Sequence, residues 1–451
     1  MSLISRRLNN SFYYSIRTIS VIKKRKLLQD VDSVNKYDFK TKRNNERIYV
    51  WGLAETGALG ISKSLALHKQ TQCRIIHHPS RLQFGEKYEV LDVAAGYGFS
   101  LFATKKTSDN VSLFGTGINT DSQIGYHKHR GITNKPIEIM IYPAPIYLPK
   151  LFEDEKLQAI KIAAGRAHSL VLADNGAVFT LGNNVYGQCG REILEDEDYF
   201  GSNLIHRLND DAFEGEKIQN LACGQDHSLF ISESGKVYSC GWGADGQTGL
   251  SHYKNNFQPT RIEGEIKNEQ IVKVSSIGDC VLALNNKGEV FGWGNSEYGQ
   301  IIQNKETQQI NTPIHLDFLK GYGKFIDIAA GGSFCAVLNE AGEVFMWGFG
   351  ILGFGPVVDQ CDTPKQIPPT LFGRNPFNPE NRVISINSGL NFMTAINSDN
   401  DLFTWGRNKF GCLGLGHEKD QFFPFKALVG AKVERVACGV DHIIALCKLF
   451  N

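Results

Sequence analysis

One short element recurs seven times, and it limits what this chain can become more than any other feature. Strand-like segments ending in glycine read YVWG at Gly52, SLFG at Gly115, FTLG at Gly182, YSCG at Gly241, FGWG at Gly294, FMWG at Gly348 and FTWG at Gly406. A second element keeps step with the first: AAGYGFS, AAGRAHS, ACGQDHS, SSIGDCV, AAGGSFC, NSGLNFM and ACGVDHI. Its third position precedes the next motif glycine by one constant spacing in five copies, as from Gly165 to Gly182 and from Gly224 to Gly241. From Gly96 to Gly115, in the first copy, the spacing is slightly longer. A period held this closely, at roughly 60 residues, marks a repeat architecture.

Each copy reads as four short strands. In the third, IQNLACG is followed by HSLFIS and KVYSC, which form a hairpin through a turn ending in glycine. Equivalent turns at DNG 174–176, NKG 286–288 and EAG 340–342 supply the positive φ that a tight hairpin demands. Beyond the motif glycine the chain runs G-x-x-x-x-G-x-x-G, as in GLAETGALG, GNNVYGQCG, GWGADGQTG and GRNKFGCLG, a stiff turn into a fourth strand. VFGWGNSEYGQI and VFMWGFGILGFGP are imperfect copies. The stretch GWGADG, 241–246, also spells G-x-G-x-x-G, the signature of a dinucleotide-binding turn. Such a turn must open a helix whose N-terminus faces the phosphates. Here QTGL and a polar loop follow, so the glycines are read as structural. No G-x-x-x-x-G-K-[ST] occurs.

The expected fold is all-β, a seven-bladed β-propeller of four-stranded antiparallel blades spanning residues 47–451. The first copy opens on RIYVWG and lacks two strands; the last ends at VERVACGVDHIIALC and lacks the other two. N- and C-terminal strands are therefore expected to share the closing blade, which removes two sheet edges. No W-D dipeptide is present, and Trp51, Trp293, Trp347 and Trp405 directly precede the motif glycine, a regularity expected of packing between blades.

Composition narrows the function. The chain has 451 residues and a net charge of +1, but residues 1–29 hold seven Lys/Arg and no acid, so the remainder carries −6. A mildly acidic body is a poor grip for nucleic acid over its whole surface, and no DNA partner is expected. The ten cysteines include no C-x-x-C pair and no zinc spacing; buried free thiols such as Cys223 and Cys438 are expected, with neither metal nor cofactor. No apolar run approaches the roughly 20 residues that a membrane-spanning helix needs.

Residues 1–29 read as an address. At helical spacing Ile4, Leu8, Phe12, Ile16 and Ile19 share one side, and Arg6, Arg7 and Arg17 the other. That is the amphipathic basic pattern of a mitochondrial presequence. KKRK at 23–26 leaves a nuclear address open as the alternative, though a nuclear signal needs no helical face. Residues 30–46 read as a polar linker.

The run A-x-G-x-x-H-S/T, a hairpin, then V-x-x-W/F-G-x-N-x-x-G-Q-x-G resembles the regulator of chromosome condensation repeat over roughly residues 47–451. With the presequence, the chain is similar to that family's mitochondrial branch. The G-W-R-H-T motif of the plant ultraviolet receptor branch is absent. The resemblance implies a mitochondrial guanine-nucleotide exchange factor or GTPase-binding propeller, acting on an inner-membrane dynamin-like fusion GTPase or a small GTPase. The alternative it implies is a non-enzymatic scaffold for mitochondrial large-subunit rRNA modification, working with pseudouridine synthases. Either way it is a matrix or inner-membrane-associated regulator, peripheral to the membrane at most, expected to be a monomer and not an enzyme.

In the family, His and Asp in the turn after the innermost strand affect exchange. Here those positions are His168, Asp226, His227, Asp279, Asp441 and His442. The histidines align with Phe99, Phe334 and Phe392, so two readings stay open: contact with a GTPase, or a brace within the blade. The family's nuclear member pushes a wedge from an elaborated loop into its GTPase. The insertion at about 191–203, with Glu192, Glu195, Asp196, Glu197 and Asp198, is the matching candidate, or else a solvated variable loop. The insertion at about 126–143 carries His127, Lys128, His129 and Arg130, candidates for RNA phosphate.

Overall fold

A computed structural model describes residues 45–61, 74–129, 135–302 and 306–450. The expected presequence, most of the expected linker, and Arg130 lie outside the described residues. The chain builds seven four-stranded antiparallel sheets. Blade 1 spans 90–145, and blades 2 to 6 span 159–207, 218–261, 271–315, 325–366 and 383–427. In blade 7, the inner strands Lys432–Cys438 and His442–Lys448 come from the C-terminal end of the chain; Glu46–Leu53 and Ile75–Leu82 complete the sheet outward. Glu46 already pairs with Lys448 and Gly52 with His442, so the closing strand starts one residue before the expected boundary at 47.

Packing explains why the repeats adopt this ring. The second strands FSLFAT, HSLVLA, HSLFIS, CVLALN, FCAVLN and FMTAIN are buried at all six positions. Only a sheet covered on both faces buries every residue of a strand. Trp51, Trp293, Trp347 and Trp405 are fully buried between blades. The indole N–H of Trp51 donates to Cys412 O, that of Trp293 to Gln247 O and that of Trp347 to Gln300 O, each 2.9 Å away on the preceding blade. Trp405 faces the imperfect turn of blade 5, and its buried N–H meets no acceptor among the described residues.

The glycine turns serve the same packing. Gly246 has φ +80°, and a Cβ there would lie 2.6 Å from Ile310 O of the next blade. No helix starts beside it; the chain turns and enters the strand Asn256–Arg261.

Two irregularities repeat around the ring. Every innermost strand carries a bulge, at Leu91, Ile160, Gln219, Val272, Ile326, Ile384 and Glu434. The outermost strands of all blades but the second carry a proline where their pairing slips: Pro79, Pro143, Pro259, Pro313, Pro364 and Pro424. Proline and bulges both blunt an exposed edge against pairing with another chain. The outer strand of blade 2, Ile205–Arg207, lacks proline but is three residues long.

Candidate functional site

The turns after the first and third strands of every blade lie on one face. In the first of these turns, six blades place a His or Phe three residues after a glycine, its ring occupying the space a Cβ would need; blade 4 has Ile277 and Cys280 there. A Cβ on Gly224 would sit 1.9 Å from His227 Cε1, and one on Gly389 would sit 2.3 Å from the Phe392 ring. The ring thus turns inward, under the turn.

This decides where the histidines go. His168, His227 and His442 are at most 1% exposed. Each reaches the next blade: His168 Nε2 to Ser228 Oγ at 3.1 Å, His227 to Ser276 at 3.2 Å, His442 to Ser100 at 2.8 Å. Ser228 and Ser100 already donate their single proton, to Gln188 O and Ala58 O, and Ser276 to its own turn. The imidazole Nε2–H must therefore be the donor. Burial lowers the three pKa values, to about 3, 3 and 4. The structure places these side chains in the wall between blades as neutral braces, with no surface on the face where a partner would meet them.

The aspartates face the axis. Asp226 is held by Arg166 through Nε at 3.1 Å and Nη2 at 2.5 Å, and burial raises its pKa against that cation. Asp279 accepts from Gln247 Nε2 at 3.0 Å, and burial, reinforced by Asp245, raises its pKa to about 6. Burial takes Asp441 to about 6 as well, against the pull of Lys409. Between them lies Tyr97, whose hydroxyl crosses from blade 1 to donate to Ile277 O of blade 4 at 3.1 Å. Burial drives its phenol pKa well up, and Asp279, Asp226 and Asp441 push it further. Three carboxylates from blades 3, 4 and 7 thus converge on one ring. The sequence reading missed Tyr97 and Arg166; they follow Gly96 and Gly165 of the second repeated element, at a position where the copies differ. Among the described residues no three His, Cys, Asp or Glu side chains converge as a metal site.

Both insertions stand on this face and touch each other. Ser122 Oγ donates to Tyr199 O at 2.8 Å, and Gly201 backs onto Pro136. Glu192, Glu195, Asp196 and Asp198 are exposed. Glu197 is turned inward onto Arg191. Between the exposed acids stand Ile193 and Leu194, 37% and 55% exposed. Asn184 Nδ2 ties the loop base through Arg191 O and Glu192 O, both at 3.1 Å. On the first insertion Lys128 is exposed, His129 is half-buried, and His127 bonds Ile124 O at 2.9 Å with a pKa lowered by burial.

A family model described as the RCC1-like domain matches residues 39–370. The chain belongs to the RCC1-like family. Models of the regulator of chromosome condensation (RCC1) repeat also match 383–412 and 399–446. Two RCC1-like relatives, from human and mouse, are called "RCC1-like G exchanging factor-like protein". Each is 44% identical over 413 residues, 90% of this chain and 87% or 88% of theirs. The crystal structure of human WBSCR16 is 43% identical, covers 90% of this chain and 100% of that one, and superposes with a TM-score of 0.82. Yeast Prp20p, described with its binding properties to Gsp1p and histones, is 19% identical with a TM-score of 0.71 over 92% of this chain and 93% of its own, and shares the fold.

Proposed function

We propose that this RCC1-like propeller binds a GTPase through the aspartate face and promotes release of its guanine nucleotide. The observation that carries the reading is the carboxylate cluster of Asp226, Asp279 and Asp441 around Tyr97, in a chain 44% identical to exchange-factor-like proteins. Asp279 and Asp441 have no ion-pair partner among the described residues, and burial makes their charge costly. A phosphate-gripping lysine of a GTPase relieves that cost only when no nucleotide holds it. The propeller then binds the empty GTPase more tightly than the loaded one, and this difference drives release. The exposed loop of Glu192, Ile193, Leu194, Glu195, Asp196 and Asp198, on the same face, offers a second contact.

The basic amphipathic N-terminus supports a mitochondrial site of action, with an inner-membrane dynamin-like GTPase as the partner to test first. For the scaffold on mitochondrial rRNA, the exposed basic support among the described residues of the first insertion is Lys128 and Lys135. The test is release of a fluorescent GDP analogue from purified GTPases. Acceleration by the intact propeller, lost in Asp279→Asn and Asp441→Asn, supports the reading. Unchanged release and no binding across mitochondrial GTPases would refute it.

A further inference from the structure

The opposite face holds a second opening of the central channel. The seven bulged residues ring it, and five are apolar. Leu91, Val272, Ile326 and Ile384 are 37%, 42%, 47% and 42% exposed, and Ile160 is half-buried. Such exposure is unusual for aliphatic side chains on the innermost strand of a sheet, and gathered patches of this kind mark binding surfaces. The two polar members are tied to their own blades, Gln219 through Ser232 O at 3.0 Å and Glu434 through Lys448.

One residue deeper lies a ring of different chemistry: Asp92, Lys161, Asn220, Lys273, Asp327, Ser385 and Arg435. Its two carboxylates are saturated from within. Asp92 accepts from Val93 N at 2.8 Å, Ile162 N at 3.1 Å and Arg435 Nη1 at 2.6 Å. Asp327 accepts from Ile328 N at 3.0 Å, Ile386 N at 2.9 Å, Ser385 Oγ at 3.2 Å and Lys273 Nζ. The cations are not saturated. Arg435 has five N–H donors and is 45% exposed; Lys273 has three and is 34% exposed. Lys161 Nζ makes no ion pair among the described residues, though its charge acts on Asp92. The throat has spare donors and no spare carboxylate acceptor. At the far end Tyr97 crosses the channel.

We infer that this funnel binds the C-terminus of a partner polypeptide, its last apolar side chain against the Leu91, Ile160, Val272, Ile326 and Ile384 rim and its α-carboxylate on the Lys161, Lys273 and Arg435 donors. An apolar group one residue from an anion is the chemistry that rim and throat share. The site is separate from the aspartate face and does not depend on exchange activity.

The test is fluorescence anisotropy with the full chain and labelled hexapeptides ending in Leu, Ile, Val or Phe, each as free acid and as C-terminal amide. At least one free acid is expected to bind, with its amide at least tenfold weaker. Ile384→Glu, at an exposed position that tolerates charge, is expected to weaken the acid at least tenfold, and Lys161→Gln severalfold. Val185→Glu, on the opposite face, is expected to leave it unchanged. Absence of binding by all four acids, equal binding of acid and amide, or an Ile384→Glu variant that binds like wild type overturns the inference. Binding of octanoate with none of the peptides overturns it too.

Discussion

Asp327→Ala tests how the ring is held together. Asp327 is 7% exposed and stitches three blades: Lys273 from blade 4, its own Ile328 N–H, and Ser385 Oγ with Ile386 N–H from blade 6. Alanine strands two buried peptide N–H groups, at about 1–3 kcal/mol each. Lys273 is one-third exposed and rehydrates, so its lost ion pair adds at most about 1 kcal/mol. The expected loss is about 4 kcal/mol. With an unfolding entropy of about 2.1 cal/mol/K per residue over roughly 400 residues, Tm falls by about 5 °C. Asp327→Asn keeps one acceptor and is expected to lose about half as much. Calorimetry gives the magnitude, and hydrogen exchange at Ile386 and Ile328 gives the place. A Tm indistinguishable from wild type, or unchanged protection at Ile386, would show that the stitch is incidental. Asp92→Ala, which breaks the matching set of Arg435, Val93 and Ile162, is expected to cost a similar amount.

Asp279→Asn is expected to raise Tm while abolishing GTPase binding, because it removes a buried charge that the fold itself does not need; a lower Tm contradicts this. The braces predict an acid limb of stability. His168, His227 and His442 have folded pKa values below their unfolded ones, so the stability tied to their neutral form is complete above about pH 6.5 and drains as pH falls toward their folded values of about 3, 3 and 4. Asp279 and Asp441, raised to about 6, act in the opposite sense, losing their contribution as pH rises through 6, and so flatten but do not reverse that limb. The double variant His442→Phe with Ser100→Ile copies the Phe392 and Ile443 pair found between blades 6 and 7. Its urea midpoint is expected to drop less than wild type's between pH 7.5 and 5.0, and an equal drop would count against the brace. Native protein is expected to react slowly with Ellman's reagent, Cys361 first among the described thiols, since it is only half-buried while burial pushes thiols such as Cys189 and Cys438 up to about 12; rapid reaction of several described thiols would contradict the packing.

The repeat made the architecture readable because each blade is a local unit written seven times. The glycine after strand three recurs in all seven copies, and the hairpin glycine and the tryptophan in four each, so each marks a contact repeated around the ring. The closing blade followed from counting the strands missing at each end. The site was less legible for the opposite reason. Tyr97 and Arg166 act once each, so no period flags them, and their place in the cluster depends on the curvature of the ring. The histidines were half-legible: sharing a column with Phe99, Phe334 and Phe392 pointed inward, but the serine partner sits on another blade, 60 residues away for His168. Glu197 looked like its acidic neighbours, and only the fold shows Arg191 taking it. The outer prolines recur in six of seven blades and were a signal left unread.

The pairing of Gly52 with His442 sets the order of events when the molecule is made. A ribosome releases the early strand long before its mate, with six whole blades still to be synthesised between them, and a chain drawn through a narrow pore from its amino end faces the same delay. Blades 1 to 6 form in turn, but none of them offers that strand a home. Until the carboxyl end emerges, that strand keeps one edge without its final mate. An unpaired edge for the whole length of synthesis is thus written into the way the circle is fastened.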